Sequence, residues 1–255
     1  MEYDLPDVIE VEADGPVRIV TLTRPEQLNA VNDELHRSLA RVFPLLSADA
    51  DARVAVITGE GRAFSAGGDF DLLDRMSKDR MLRRNTLAEG REIVINMLRC
   101  RIPVIAAVNG PAVGLGCSLI ALSDVVYMAE SAYLSDPHVS VGLVAADGGP
   151  VTWPLHTSLL LAKEYAFTGD RITASRAAEI GLANHVCPDD GVRSAALAAA
   201  HKIAALPQQA VEATKRVLNL HMEQAVIATI DFALAAENES FDTDDLRANI
   251  DRFRA

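Results

Sequence analysis

The chain has 255 residues, 49% of them apolar and 24% charged. That is an ordinary globular composition at the upper end of single-domain size, so disorder, collagen-like repeats and low-complexity sequence are excluded. The 24 Lys and Arg against 36 Asp and Glu give a net charge of −12. Such a surface repels polyphosphate backbones and argues against a nucleic-acid partner, although a few local cations or N–H groups can still hold a small anion.

The start, Met1-Glu2-Tyr3-Asp4, lacks the apolar run of a signal peptide, so a cytoplasmic protein is expected. Val17-Arg18-Ile19-Val20-Thr21-Leu22 is rich in branched side chains and reads as a strand that Arg24-Pro25 stops. Asn32 is a candidate N-cap for a helix carrying Leu35, Leu39, Val42 and Phe43 at helical spacing. Val54-Ala55-Val56-Ile57-Thr58 reads as a strand covered on both faces. After the turn Gly59-Glu60-Gly61, a short strand is expected over 63–69, ending in two glycines.

Residues 72–99 read as one long charged helix, its basic residues interleaved with acidic ones as on a solvated face. Ile102 to Ser123 carries no charge and is long enough to span a bilayer. Pro103 and Asn109-Gly110-Pro111 interrupt it, which makes it a buried strand, a turn and a buried helix. Asp124 to Met128 is a further strand, and 133–150 is irregular and glycine-rich. Helices are expected around 158–167, 174–181, 190–204, 208–236 and 243–253. Strands alternate with helices early and helices dominate late, so the chain divides into an α/β core over 1–195 and a helical region over 196–255.

Several signatures are absent. The three cysteines Cys100, Cys117 and Cys187 form no Cys-x-x-Cys, so neither a disulfide framework nor a zinc site is expected. No His/Glu cluster has metal-ligand spacing, and no P-loop, dinucleotide fingerprint or Gly-x-Ser-x-Gly elbow occurs. What remains is two glycine-rich turns, each after a buried strand: Ser65-Ala66-Gly67-Gly68-Asp69 and Asn109 to Gly116. The second runs into a helix, so the N–H groups near Leu115 are orphan donors at its N-terminus. Side by side, the two turns could aim two donors at one oxygen, as an oxyanion hole requires. The alternative is that both are merely tight turns.

The order of these elements resembles the crotonase, or enoyl-CoA hydratase/isomerase, superfamily. The resemblance rests on Arg24-Pro25-Glu26 with Leu28-Asn29-Ala30, Ala63 to Asp69, Pro103 to Gly110 with Gly114-Leu115-Gly116-Cys117, Ser123-Asp124, and Gly181-Leu182-Ala183-Asn184-His185-Val186. It implies an α/β spiral of ββα repeats with a C-terminal helical region used for trimerisation, in a homotrimer or a dimer of trimers. It implies a coenzyme A thioester as substrate and no further cofactor. Carried over by position, the oxyanion donors are the backbone N–H groups of Gly68 and Leu115, and the CoA contacts fall on Leu28, Ala30, Ala63, Ala66 and Phe253. Asp69 is a structural acceptor.

The family's hydratases use two glutamates to place a water and move its proton. Here those positions hold Ser118 and His138. Serine is no base at neutral pH, whereas an imidazole is the natural one. Asp147 follows His138 by nine residues, close enough to fold back and orient the ring. This pair is similar to that of the superfamily's β-diketone hydrolases, which split a C–C bond with water. The alternative is that His138 packs a turn and Asp147 caps a helix. His36, His201 and His221 are expected at the surface or its boundary, His185 is expected to be structural, and His156 is a weaker candidate for the pocket. Trp153 is expected to pack. The reading is an enoyl-CoA hydratase-type enzyme, with a C–C hydrolase and a non-catalytic acyl-CoA-binding subunit as alternatives.

Overall fold

Branched side chains on both faces of Val17–Leu22 suit a strand covered on two sides, and all six residues are buried. In the computed structural model, which describes residues 3–146 and 149–254, that strand lies inside a six-stranded sheet. The elements in chain order are β1 (Ile9–Asp14), β2 (Val17–Leu22), α1 (Asp33–Ala48), β3 (Val54–Gly59), α2 (Phe70–Lys78) and α3 (Arg80–Leu98). Next come β4 (Val104–Val108), β5 (Ala112–Val113), α4 (Leu115–Ala121), β6 (Val125–Ala129), β7 (Tyr133–Ser135), α5 (His138–Val141) and α6 (Gly149–His156). Then follow α7 (Leu159–Thr168), β8 (Ile172–Thr173), α8 (Ala174–Ile180), β9 (His185–Cys187), α9 (Val192–Ala204), α10 (Gln208–Ser240) and α11 (Asp244–Arg254).

The large sheet runs β1-β2-β3-β4-β6-β9. The β1–β2 pair is antiparallel, with Ile9 opposite Leu22, and the other pairs are parallel. Side chains alternate between its two faces. Val17, Ile19, Val54, Val56, Ile105 and Ala107 point to one face, which α9 covers with Ala196, Ala200 and Ala204. Those alanines recur every four residues, so one small-residue stripe lets the helix backbone come close to the sheet. Residues 195 and 196 lie inside this helix, so the sheet's covering layer runs past the boundary expected there. Val20, Leu22, Ala55, Ile57, Ala106 and Val108 face the larger core with α1, α3 and α4.

A smaller sheet, β5-β7-β8, adds a second layer. Two isolated parallel bridges, Val31 with Gly68 and Ser65 with Ala112, extend the same pattern to earlier segments. Each turn of the chain therefore supplies a strand to the large sheet, a short segment to the second layer and then a helix. Gly68 stands just before α2, and Leu115 opens α4. The two glycine-rich turns thus occupy the same junction in neighbouring repeats.

Several expectations need correction. Residues 63–69 make bridges only and form no full strand. The single helix expected over 72–99 is two. Asp79 adopts an extended conformation, and its carboxylate accepts from the N–H groups of Met81 and Leu82, ending α2 and starting α3. A side chain that captures backbone donors competes with a continuous helix. The irregular stretch 133–150 contains β7, α5 and the start of α6, while β1 and β9 are additional strands. The uncharged stretch from Ile102 to Ser123 forms β4, β5 and α4. Among the described residues no helix is long and apolar enough to cross a membrane.

Candidate active site

The site is assembled where the two turns meet. A Cβ built on Gly67 would lie 3.6 Å from Gly114 Cα, so the backbones touch. Gly114 has φ +51° and ψ −119°, a conformation that excludes ordinary side chains. Its own N–H donates to Ser135 O at 3.0 Å, which ties the turn to β7. Val31 N–H donates to Gly67 O at 2.7 Å, and Asp69 N–H donates to Val31 O at 3.1 Å. Between those bonds, Gly68 N–H donates to no acceptor among the described residues, and neither does Leu115 N–H at the head of α4. Both residues line one cavity of about 270 Å³. Two unspent backbone donors on one cavity can stabilise a developing oxyanion.

His138, the first residue of α5, lines the same cavity. Its ring lies against Gly114: a Cβ there would be 3.4 Å from Cε1 and 3.9 Å from Nε2. Nδ1 is hydrogen-bonded to Asp136 Oδ1. A carboxylate accepts, so Nδ1 donates to it and Nε2 is the nitrogen that carries the lone pair when the ring is uncharged. Asp136 is 1% exposed. Burial alone would raise its carboxyl, but the charge of His138 and the hydrogen bonds from its ring and backbone hold it below the usual carboxylate range. A buried carboxylate behind an imidazole stabilises the imidazolium that forms when the ring takes a proton. Asp136 Oδ2 and Trp153 Nε1 are both buried without a hydrogen-bond partner among the described residues, and Asp136 Oδ2 and Trp153 Cε2 both lie close to Gly149.

The rest of the cavity is mostly apolar, with Phe70, Leu72, Leu73, Met76, Leu87, Val141, Leu143 and Leu234 in its wall. His36, expected near the surface, is 8% exposed, bonds Glu89 Oε2 through Nδ1 at 3.0 Å, and lines this cavity. It sits beside the buried face of α1, three residues before Leu39 and seven before Phe43, a spacing that could have flagged it.

Of the other sequence candidates, Ser118 is fully buried on α4, with its hydroxyl 3.5 Å from Gly114 O, and is not part of the cavity wall. His156 is outside the wall as well. Its Nε2 donates to Ala121 O at 2.8 Å, and burial pushes its imidazole down while that carbonyl draws it back up in part. His185 is exposed and lies beside the Tyr127 ring, His201 pairs with Asp14, and Trp153 packs in the core at 1% exposure. Asp147 and the side chain of Phe253 lie outside the described residues. Leu28, Ala30, Ala63 and Ala66 gather around Asn29, whose Nδ2 donates to Ala63 O at 2.9 Å, while Ala66 N–H donates to Leu28 O at 2.9 Å. Ala66 also lines the cavity. Asp69 caps α2 by accepting from Asp71 N–H and faces Arg24 at 3.5 Å.

A profile of the enoyl-CoA hydratase/isomerase family matches residues 12–254. The chain belongs to that family. A crystal structure of an enoyl-CoA hydratase/isomerase from Mycobacterium paratuberculosis is 65% identical, with a TM-score of 0.96 over 98% of this chain and 100% of that one. The 2,3-dehydroadipyl-CoA hydratase of Escherichia coli is 33% identical over 88% of this chain and 85% of its own length. The human mitochondrial Delta(3,5)-Delta(2,4)-dienoyl-CoA isomerase is also 33% identical, over 89% of this chain and 73% of its own. The two-layered α/β architecture is therefore the crotonase fold. The family acts on acyl-CoA substrates, and in this member His138, Gly68 and Leu115 line one cavity.

Proposed function

We propose that the enzyme adds water to an α,β-unsaturated acyl-CoA, with His138 as the base. The observation that carries this reading is that an Asp136-anchored imidazole and the N–H groups of Gly68 and Leu115 border one apolar cavity. The thioester oxygen accepts from both N–H groups. His138 Nε2 takes a proton from water, and the hydroxide oxygen bonds to the β-carbon. The double-bond electrons move onto the thioester oxygen as an enolate. The imidazolium then returns its proton to the α-carbon, so the net change is one water added. Two held N–H donors at the enolate oxygen contribute several kcal/mol, about 3 each.

The CoA moiety is bound by main-chain groups of Leu28, Ala30, Ala63 and Ala66, with Phe253 closing on it. The enzyme works in the cytoplasm as a homotrimer or a dimer of trimers. Self-association is supported by Leu160 and Phe232, each 80% exposed, and Phe167 at 67%, apolar surface of a kind that marks interfaces. Light scattering during gel filtration tests the assembly.

Hydration is followed as loss of the ultraviolet absorbance of crotonyl-CoA and longer enoyl thioesters. His138→Ala should lower kcat by about 10²–10⁴-fold. A wild-type protein that binds these thioesters and hydrates none of them overturns the reading. A second reading, hydrolysis of a β-diketone C–C bond, is favoured by one observation: a His138 ring anchored by Asp136 borders the cavity. Masses of products from a panel of cyclic β-diketones decide between the two. Binding of acyl-CoA without turnover in either assay leaves a binding subunit.

A further inference from the structure

The apolar cavity contains three polar groups that the hydration chemistry does not use. His36 from α1, Thr86 from α3 and Glu237 from α10 all line it, and each is 8% exposed. None of these elements supplies an oxyanion donor or the base. A polar atom that faces an acyl-binding wall with an open lone pair raises the cost of holding a plain hydrocarbon, because it is stripped of water and gains no hydrogen bond from the chain.

Their hydrogen-bonding sense is the same. His36 Nδ1 and Glu89 Oε2 are 3.0 Å apart; the carboxylate accepts, so Nδ1 donates, and in the ring's uncharged form Nε2 is an acceptor. Nε2 has no partner among the described residues, and the nearby Gly90 leaves room there, since a Cβ at that position would be 3.9 Å away. The Thr86 hydroxyl donates its hydrogen to Leu82 O at 3.0 Å, so its oxygen is left to accept. The Glu237 carboxylate adds negative charge to the same wall. Two acceptors on one wall call for a donor on the ligand. A carboxylate-bearing chain would instead meet the acidic side chain of Glu237, with that of Glu89 behind His36, where like charge in a poorly solvated site is costly.

We propose that this enzyme selects acyl-CoA thioesters whose acyl chain carries a hydroxyl group, and that His36 Nε2 accepts its hydrogen bond. The assignment rests on the acyl-CoA reading of the cavity, so the test measures binding and not turnover. Titration calorimetry on the full-length protein would use saturated thioesters. One series places a hydroxyl at successive chain carbons beyond the β-carbon, because a β-hydroxyl would be lost as water in the reverse of the proposed hydration; the controls are the plain chain and the chain ending in a carboxylate, all of equal length. The best hydroxylated member should bind about tenfold tighter than the plain chain, one good hydrogen bond's worth, and the carboxylate member more weakly than either. In His36→Phe the hydroxylated and plain chains should bind alike. Circular dichroism checks that this variant folds; if it does not, the wild-type series alone decides. Equal binding of hydroxylated and plain chains in the wild type, tighter binding of the carboxylate, or a preference that survives in folded His36→Phe would overturn the assignment and leave the acyl-CoA reading standing. Failure of every thioester to bind would overturn both.

Discussion

The second carboxylate oxygen of Asp136 fills the space in which a side chain on Gly149 would begin. A Cβ there would stand 2.3 Å from Oδ2, well inside van der Waals contact. Asp136 cannot yield cheaply, because its other oxygen holds the His138 ring. Gly149→Ala should therefore displace the carboxylate and tilt the imidazole. A small misplacement of a reacting group can cost on the order of a hundredfold in rate, so kcat should fall by about tenfold to a hundredfold with little change in KM. Full activity in Gly149→Ala would mean that the orientation of His138 does not depend on Asp136.

Asp136→Asn separates charge from shape. The amide keeps the size of the side chain but can no longer stabilise an imidazolium, so kcat should drop on the order of a hundredfold or more. The sign of the pH effect also follows. His138 must be neutral to act, so activity rises with pH along one acid limb. Removing the negative charge disfavours the protonated ring, so the limb should move to lower pH in the variant. A limb that stays in place, measured as kcat against pH, would show that Asp136 is not electrostatically coupled to the base.

What could be read from the sequence follows from how local each cause is. Gly67-Gly68 and Gly114 were legible because a backbone that must turn sharply or admit a close neighbour leaves a glycine in the sequence. The strand at 17–22 and the cap at Asn32, which accepts from Leu35 N–H at 3.0 Å, were legible for the same reason. The pairing of His138 with Asp136, only two residues away, is not among the sequence expectations, and the expected partner Asp147 lies outside the described residues. The signal was present in Asp136-Pro137-His138, since an aspartate often bonds groups two residues ahead of it. His36 was missed because its role depends on Glu89 and on a cavity built from α3 and α10, contacts no local pattern encodes. The break at Asp79 was hidden for another reason: charged residues run through it without a proline or glycine.

Acid stability should report on Asp49. Its carboxylate accepts from Tyr3 Oη at 2.7 Å and from Arg18 Nε at 2.7 Å, and it is 2% exposed. Burial works to raise its pKa, but those two hydrogen bonds, the Asp51 N–H and the Arg18 charge outweigh it and hold the group at about 2. A carboxyl depressed in the folded state stabilises the protein fully above its unfolded pKa of ~3.9 and loses that contribution as pH falls toward the folded value. The loss between those limits should be about 2 kcal/mol. Urea unfolding at stepped pH should show it in the wild type and not in Asp49→Asn. Equal slopes in the two proteins over that window would refute the assignment.

Lys215 should prove costly to remove although it lies far from the chemistry. It projects from α10 with 6% exposure, and its Nζ lies 2.7 Å from Asp124 Oδ2 and donates to Ile102 O at 2.8 Å. The same Asp124 oxygen accepts from Val104 N–H at 2.7 Å, where β4 begins. One ammonium thus joins the long C-terminal helix to the entry of a central strand. Lys215→Met keeps the aliphatic bulk but strips a partner from a poorly solvated carboxylate and from a buried carbonyl. Breaking one side of such a pair costs roughly 3–5 kcal/mol, whereas replacing both charges by apolar groups can be nearly neutral. Lys215→Met should therefore destabilise by about 3 kcal/mol, and the double variant Lys215→Met/Asp124→Leu should recover part of that loss. The recovery is limited because Val104 N–H loses its acceptor in the double variant. Denaturant midpoints for wild type, both single variants and the double close the cycle. Strict additivity of the two changes would mean that Lys215 and Asp124 do not stabilise each other.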